Sequence, residues 1–294
     1  MNDIAAQLTP RIERRRRMDV MLKVVCLLAS LTGLAFLAVL IARVLYEGYA
    51  SFDWQFLTSF PSVLSPESAG VKSALWGTVW LITMTAMVSI ALGVGAAIYL
   101  EEFAPRNFLI RLIQLNIANL AGVPSVVYGI LGLTVFVRWF HLGRSVASGS
   151  LTLSLLIMPV IIITSREALL AVPQTIRHAA LALGATRWQT IRSHVLPHAL
   201  PNILTGVILA VSRAIGEAAP LLMIGALTFV TFVPEGPLDE FTALPLQIYN
   251  WCDSPLTEFH HLAAAGIILL LGVLLPINGA AVLLRAWQRK KNSW

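Results

Sequence analysis

The sequence predicts an all-α integral membrane protein with six transmembrane helices and a cytoplasmic helical segment between the fourth and the fifth. Of its 294 residues, 57% are hydrophobic and only 12% are charged, whereas soluble domains average roughly 45–50% apolar and about 25% charged residues. Five uncharged runs are long enough for a helix to cross about 30 Å of hydrocarbon, which takes roughly 20 residues. Most of the chain is therefore expected to lie in lipid.

The first uncharged run, 24–42, follows four consecutive arginines at 14–17. A basic stretch before an apolar one is typical of a signal peptide, but this run is too long for the apolar part of such a peptide, and it lacks an A-x-A cleavage site. We therefore predict a basic cytoplasmic N-terminus over 1–19 and a retained anchor helix over 20–46.

The remaining spans follow a loop at 47–70 and make up a transmembrane domain predicted over 71–287, with a basic cytoplasmic tail at 288–294. A sixth apolar stretch is long enough to span but contains Arg213 and Glu217. In chain order, the predicted spans of this domain are 73–100, 112–137, 145–165, 201–230 and 262–284.

The lysines and arginines set the orientation, because cytoplasmic loops of membrane proteins are enriched in them. With a cytoplasmic N-terminus, sixteen of the 21 basic residues lie inside, four lie outside, and Arg213 is in mid-span. Both termini are therefore predicted to be cytoplasmic. Two sizeable loops, 47–70 and 231–261, then face outward, either as docking surfaces for a partner or as solvated caps with interfacial aromatic residues.

Charge and motifs exclude several functions. The net charge of +6 comes mostly from basic residues beside apolar segments, which does not indicate nucleic-acid binding. Cys26 and Cys252 are too few for a disulfide framework or a metal site. The chain has no G-x-x-x-x-G-K-[ST] motif and no metalloprotease, paired-aspartate or Ser-Lys constellation in its spans. The Gly93-x-Gly95 pair does not complete a dinucleotide fingerprint and is interpreted as a packing contact. We expect a protein that is not an enzyme and has no cofactor or metal.

Between the fourth and fifth spans, residues 166–201 are too many for a turn. Residues 179–183 are good helix formers, Gly184 interrupts them, and Thr186 can cap a second short helix, which Pro197 and Pro201 are predicted to end. Such a helix-glycine-helix element suits insertion into a groove on another protein. An ordinary amphipathic connector is the alternative.

This segment resembles the cytoplasmic signature of type I ABC importer permeases, in which E-A-A, three residues, glycine, nine residues and I-x-L-P form the coupling helix that docks on the ATPase. His178 stands where the family usually has glutamate, and His194 where it usually has isoleucine. The resemblance implies a set of ATPase-docking residues: His178, Ala179, Ala180, Gly184, Leu196 and Pro197.

Two further runs, NIANLAGVPSVVYGILGL at 116–133 and SRAIGEAAPLL at 212–222, resemble the phosphate-specific uptake permeases, and within them the A-type subunit. The resemblance extends from about residue 72 to the C-terminus. It implies a multi-pass protein of the bacterial inner membrane that forms a heterodimer with a related C-type permease. Its other partners are then an ATPase dimer, which holds ATP and magnesium, and an external phosphate-binding protein.

The charged pair in the sixth apolar stretch is the candidate substrate path. Arg213 and Glu217 are four residues apart and are expected on one helix face, and a guanidinium offers forked donors that match phosphate oxygens. Asn116 and Asn119 are candidates for lining the same path. The alternatives are a mutually neutralised structural pair and, for the asparagines, hydrogen bonding between helices.

At the level of function, two alternatives to phosphate import remain open. A permease of the same architecture could carry another oxyanion, such as sulfate or molybdate. A mainly regulatory membrane subunit that reports phosphate status is the other.

Overall fold

The computed structural model describes the backbone of residues 2–63, 65–226 and 229–291, and their side chains except at 2–15, 17, 284, 285 and 287–291. The described chain folds into α-helices joined by short loops, with π-helical turns at Tyr99–Phe103, Leu133–Trp139 and Ile191–Val195. In chain order the helices are α1 Asn2–Gly48, α2 Trp54–Thr58, α3 Lys72–Ile98, α4 Phe108–Leu120, α5 Ser125–Gly132, α6 Val146–Leu170, α7 Gln174–Ala182, α8 Arg187–Thr190, α9 Leu196–Ile215, α10 Ala219–Ile224, α11 Leu244–Cys252 and α12 Thr257–Lys291.

Five helical segments are long and apolar enough to cross a membrane, and the pair α4 and α5 makes a sixth if it is counted as one bent span. The prediction of an all-α protein with six spans is thus confirmed. The first span is part of α1, which begins at Asn2 and therefore runs through the predicted boundary between 1–19 and 20–46.

The core lies where α3, α6 and α9 pack together. Leu81, Leu153, Ile157 and Ile203 are almost fully buried there. Gly93 of α3 lies so close to Ile161 of α6 that a Cβ atom on the glycine would be 2.8 Å from the isoleucine Cγ2. Close approach through small residues is how membrane helices pack without a hydrophobic driving force between them.

The helix α1 packs along α12, and its apolar window has no buried residues. This is the exposure expected of a helix that faces lipid. The two outer loops contact each other, since Phe56 of the first and Trp251 and Phe259 of the second lie in one buried cluster. Trp54 stays exposed.

The third span is not the single helix predicted over 112–137. Its two halves, α4 and α5, are bent by 104° between Leu120 and Ser125. Pro124 has no N–H to donate, and its ring restricts the residue before it, so it favours the end of a helix at this point. The Tyr128 hydroxyl donates to the Leu120 carbonyl oxygen at 2.8 Å, which satisfies the end of α4.

The fifth span also differs from the predicted 201–230. Its helix runs from Arg187 through α8, a π-turn and α9 to Ile215. Pro197 and Pro201 do not end the preceding helix, as predicted, but lie within this continuous segment. The π-turn shifts the hydrogen-bond register just before Pro197, with the Leu196 N–H donating to the Ile191 carbonyl, and so accommodates a residue without an N–H.

Candidate functional site

A broken span and the end of a second span meet inside the domain. The first break separates α4 from α5, and the second separates α9 from α10 at Gly216, Glu217 and Ala218. The helices that follow the breaks, α5 and α10, pack against each other so closely that a Cβ atom on Gly129 would lie 2.8 Å from the Pro220 Cα. Both breaks lie within about two helical turns of this contact.

Irregular backbone inside a membrane domain has a chemical consequence. In hydrocarbon an unpaired backbone polar group is costly, so irregular segments persist in membrane proteins where they are buried in protein or line a water-filled cavity. Discontinuous helices are also where many transporters bind their substrates. The region around the two breaks is therefore the candidate translocation path.

Arg213 and Glu217 lie at the second break. Arg213 is in the last turn of α9, but Glu217 follows the end of that helix, so the prediction that both share one helix face is wrong. The pair nonetheless meets, with 3.4 Å between Arg213 Nε and Glu217 Oε1. The arginine side chain is 56% exposed and the glutamate 18%. Within the described residues the arginine has no other hydrogen-bond partner, so most of its donors remain available.

Asn116 and Asn119 lie in α4, one turn or less before the first break, and both are exposed. The Asn116 amide donates to the Leu112 carbonyl of its own helix at 2.8 Å. In the described part of the chain neither asparagine is hydrogen-bonded to Arg213 or Glu217, and neither makes the hydrogen bond between helices that was the alternative. Their place in the path stays a prediction.

The segment 166–201, which is predicted to be cytoplasmic, contains a helix, a glycine and a second short helix, as predicted. Gly184 has φ +84°, a left-handed conformation that glycine adopts without cost. Thr186 caps α8, since its hydroxyl accepts from the Gln189 N–H and the Gln189 side chain accepts from the Thr186 N–H. The chain thereby turns sharply between α7 and α8.

The predicted docking residues divide into two groups. His178, Ala179, Gly184 and Pro197 are exposed and Leu196 is partly so, whereas Ala180 is buried and packs inward. Beside them Leu183 is 89% exposed. Exposed apolar side chains grouped on a polar surface indicate a contact with another protein. This exposed face of α7 and the turn after it is called the coupling surface below.

An arginine that our sequence reasoning did not single out fastens α7 to the membrane domain. Arg177 Nη2 lies 2.8 Å from Glu102 Oε1 at the end of α3. The same guanidinium donates to the carbonyl oxygens of Leu169 and Val172, at 2.8 and 2.6 Å, at the end of α6. The side chains of Arg177 and Glu102 are only 12% and 11% exposed. One buried guanidinium thus joins the ends of three helices.

A second ion pair lies beside the first, with Arg166 Nη2 of α6 3.3 Å from Glu101 Oε2. The signal for both pairs was the Glu101-Glu102 dipeptide, which lies at the end of a span on the side where basic residues prevail and which is predicted to be cytoplasmic. Sequence alone did not identify which arginines they bind.

The chain matches a family of known transport proteins. Residues 89–290 match the family model described as the binding-protein-dependent transport system inner membrane component. The phosphate transport system permease protein PstA of Mycobacterium leprae is 33% identical over 222 residues, 74% of this chain and 71% of the relative. The probable ABC transporter permease protein YqgI of Bacillus subtilis is 31% identical over 236 residues, 80% of this chain and 79% of the relative. PstA of Yersinia pestis is 29% identical over 90% of this chain and 88% of its own length.

Solved structures share the fold at low identity. A chain of the MetNI methionine ABC transporter in an inward-facing conformation aligns with a TM-score of 0.59 and 19% identity, covering 72% of this chain and 94% of its own. A chain of an amino acid ABC transporter aligns with a TM-score of 0.54, also at 19% identity, over 74% of this chain and 92% of its own. The fold of this membrane domain is therefore a known one, and the chain is a member of the family of inner membrane components of binding-protein-dependent transport systems.

Proposed function

We propose that this chain is the A-type permease subunit of an ATP-driven importer of inorganic phosphate and forms half of the translocation path. The observation that carries the proposal is the position of Arg213, an exposed guanidinium at a helix break inside a membrane domain. The relatives named PstA, 29–33% identical over most of this chain, support phosphate as the substrate.

The chemistry of Arg213 suits a transported anion. A guanidinium presents several N–H donors in a plane, and two of them can bind two phosphate oxygens at once. Glu217 at 3.4 Å offsets part of the positive charge. A site that attracted phosphate without such an offset would release it slowly, because the same attraction opposes departure. The pair therefore suits a site that binds phosphate transiently better than one that retains it.

The coupling surface supplies the energy input. In the proposed assembly an ATPase dimer, which holds ATP and magnesium, binds the exposed residues around His178, Ala179 and Gly184. Closure of that dimer pushes α7, and rigid-body rocking of the spans then alternates access to the path. A related C-type permease completes the path, an external phosphate-binding protein delivers the anion, and both termini of this chain are cytoplasmic.

Uptake of radiolabelled phosphate by cells that rely on this importer tests the proposal. We expect Arg213→Gln to lower uptake at least about tenfold, the loss typical of one charge-assisted hydrogen bond, with normal assembly and ATPase binding. Arg213→Lys keeps the positive charge but loses the forked arrangement of N–H donors, so its phosphate uptake is expected to be intermediate. Arg138→Gln, at an exposed arginine of the π-turn after α5, is the matched control.

Four outcomes would overturn parts of the proposal. Normal uptake by Arg213→Gln would remove the arginine from the path, and a failure of this variant to assemble would make the pair a structural one. Competition by sulfate or molybdate as strong as that by unlabelled phosphate would assign another oxyanion. A chain that is needed for phosphate-dependent gene repression but not for uptake would be a regulatory subunit.

A further inference from the structure

A second positively charged site lies away from the two helix breaks, at the cytoplasmic ends of α3, α4 and α6. A cavity of about 280 Å³ is enclosed there by the end of α3, the loop that follows it, the first two turns of α4 and one side chain of α6. Three arginines line it, Arg106, Arg111 and Arg166, together with Glu101 and Gln114. We call it the arginine cavity.

The charges in the arginine cavity do not balance. Glu101 is the single carboxylate among the lining residues, and it pairs with Arg166. No described carboxylate lies within ion-pair distance of Arg106 or Arg111. The neighbouring Glu102 is already held by Arg177. Two positive charges, those of the exposed Arg106 and Arg111, therefore line this concave site without a counter-ion among the described residues.

Hydrogen-bond donors also remain without acceptors. Arg166 donates to Glu101 through Nη2, but its Nε is buried and has no hydrogen-bond partner among the described residues. A buried donor without an acceptor costs free energy, so a structure usually supplies the acceptor from a ligand or from water. The cavity wall contains the start of α4, a 13-residue helix whose N-terminal amides add a partial positive charge.

A tetrahedral phosphoryl group satisfies these features. Its oxygens accept bidentate hydrogen bonds from guanidinium groups, and its charge offsets the two unpaired arginines. Phe108 and Leu109, which directly follow the cavity loop, are 78% and 60% exposed, so an apolar surface adjoins the charged one. Basic pockets between membrane helices on the cytoplasmic side are suited to anionic head groups.

We propose that the arginine cavity is a binding site for a phosphoryl anion, held between Arg106, Arg111 and Arg166. Two sources present this chemistry: the head group of an anionic phospholipid, and free inorganic phosphate on the cytoplasmic side. The site does not require that the chain import phosphate, because its residues are separate from Arg213 and Glu217.

The first arm of the test measures lipid. The complete importer is reconstituted in phosphatidylcholine nanodiscs that contain a minor fraction of phosphatidylglycerol, and native mass spectrometry counts the phosphatidylglycerol molecules retained per complex. We expect Arg106→Gln and Arg111→Gln each to weaken retention about tenfold, and Arg106→Lys to retain most of it. Arg192→Gln removes an exposed cytoplasmic arginine outside the cavity and is the matched control.

The second arm measures inorganic phosphate by equilibrium dialysis, with the importer in a neutral detergent and with Arg213→Gln present in every sample to disable the proposed path. Loss of phosphate binding on adding Arg106→Gln, but not Arg192→Gln, assigns free phosphate as the source. Loss of phosphatidylglycerol retention without loss of phosphate binding assigns the lipid head group as the source. Equal binding of both probes by the Arg106→Gln, Arg111→Gln and Arg192→Gln complexes, each with an unchanged thermal midpoint, overturns the proposal.

Discussion

At the scale of single residues, the pairing of Arg213 with Glu217 shows how a charge can be kept available in a membrane protein. Strong charge-assisted N–H···O bonds are about 2.7–2.9 Å long, whereas this pair is 3.4 Å apart and joined through Nε alone. The two terminal nitrogens of Arg213 therefore have no hydrogen-bond acceptor among the described residues. The helix end helps as well, since a cation is favoured at the C-terminus of a helix.

Glu217→Gln is expected to change phosphate uptake in a characteristic way. Removing the carboxylate leaves the full charge of Arg213 in the path, so the anion should bind more tightly and leave more slowly. The KM and the maximal rate of radiolabelled phosphate uptake should both fall, by roughly the tenfold that a charged hydrogen bond contributes. Glu47→Gln is the control, because Glu47 forms a pair of the same sequence spacing with Arg43 in α1. Unchanged kinetics would contradict a moderating role.

The sequence could identify Arg213 and Glu217 because ionisable residues stand out in an apolar run. It could not identify the partners of Glu101 and Glu102, which lie 65 and 75 positions away along the chain. Those contacts exist only because α3 and α6 pack side by side, and the depth of each helix in the bundle decides which arginine reaches which carboxylate. Residue type predicts a charge, while packing determines its partner.

At the scale of helices, the approach of α3 to α6 depends on one of two nearby glycines. A Cβ atom on Gly93 would lie 2.8 Å from Ile161 Cγ2, whereas a Cβ atom on Gly95 would have no atom within 4 Å. We expect Gly93→Ala to lower stability by about 1–3 kcal/mol through overpacking. Gly95→Ala should leave stability unchanged or slightly raised, because alanine favours helix. Thermal midpoints of the purified complexes measure the difference. Equal midpoints would show that α3 and α6 can move apart to accommodate the added methyl group without loss of stability.

The joint between α7 and the membrane domain depends on Arg177. If this guanidinium transmits the movement of the coupling surface to α3 and α6, Arg177→Gln should lower phosphate transported per ATP hydrolysed about tenfold, the loss of one buried charged contact. Proteoliposomes in which both rates are measured give this ratio. Arg192→Gln, an exposed change near the same surface, should leave the ratio intact. A proportional fall of transport and hydrolysis would instead indicate lost ATPase docking.

The number of spans was predictable, since hydrophobic runs reflect the thickness of the bilayer. The breaks were not, because the residues that break a helix do so only in some contexts. Pro159, Pro201 and Pro276 lie inside helices, whereas at Pro124 the chain turns by 104°. There Gly122 precedes the proline, and the Tyr128 hydroxyl satisfies the carbonyl that the break releases. Contacts with neighbouring residues decide whether a proline stays within a helix or ends it, and a hydropathy pattern does not describe those contacts.

At the scale of the whole molecule, the coupling surface and the packed loops lie at opposite ends of the helices. The coupling surface, the Arg177 joint and the arginine cavity share one end, with the ends of α3 and α6 between them. The packed outer loops, built around Phe56 and Trp251, occupy the other. The two helix breaks lie between these ends. If the coupling surface receives the input from an ATPase, the helices that can carry it to the breaks are α3, α6 and α9, the most tightly packed helices of the described domain.

The two native cysteines provide a test of orientation without any substitution. Cys252 ends α11, on the loop predicted to be external, and is accessible, whereas Cys26 lies in the lipid-facing span of α1. A membrane-impermeant maleimide added to spheroplasts should label Cys252 and not Cys26. Partial burial raises the pKa of the Cys252 thiol. Because the thiolate is the reactive form, labelling should accelerate as the pH rises beyond the ordinary thiol value of about 8.5.

A chain carrying Cys252→Ala is the control for that labelling experiment, since any signal that persists in it must come from Cys26. Labelling of Cys252 in inside-out vesicles but not in spheroplasts would reverse the orientation predicted from sixteen inner and four outer basic residues. The coupling surface would then face outward, where no ATP is available, and the proposal of an ATP-driven importer would fall with it. Labelling from the outside places the coupling surface and the arginine cavity in the cytoplasm, because an odd number of spans separates each from Cys252.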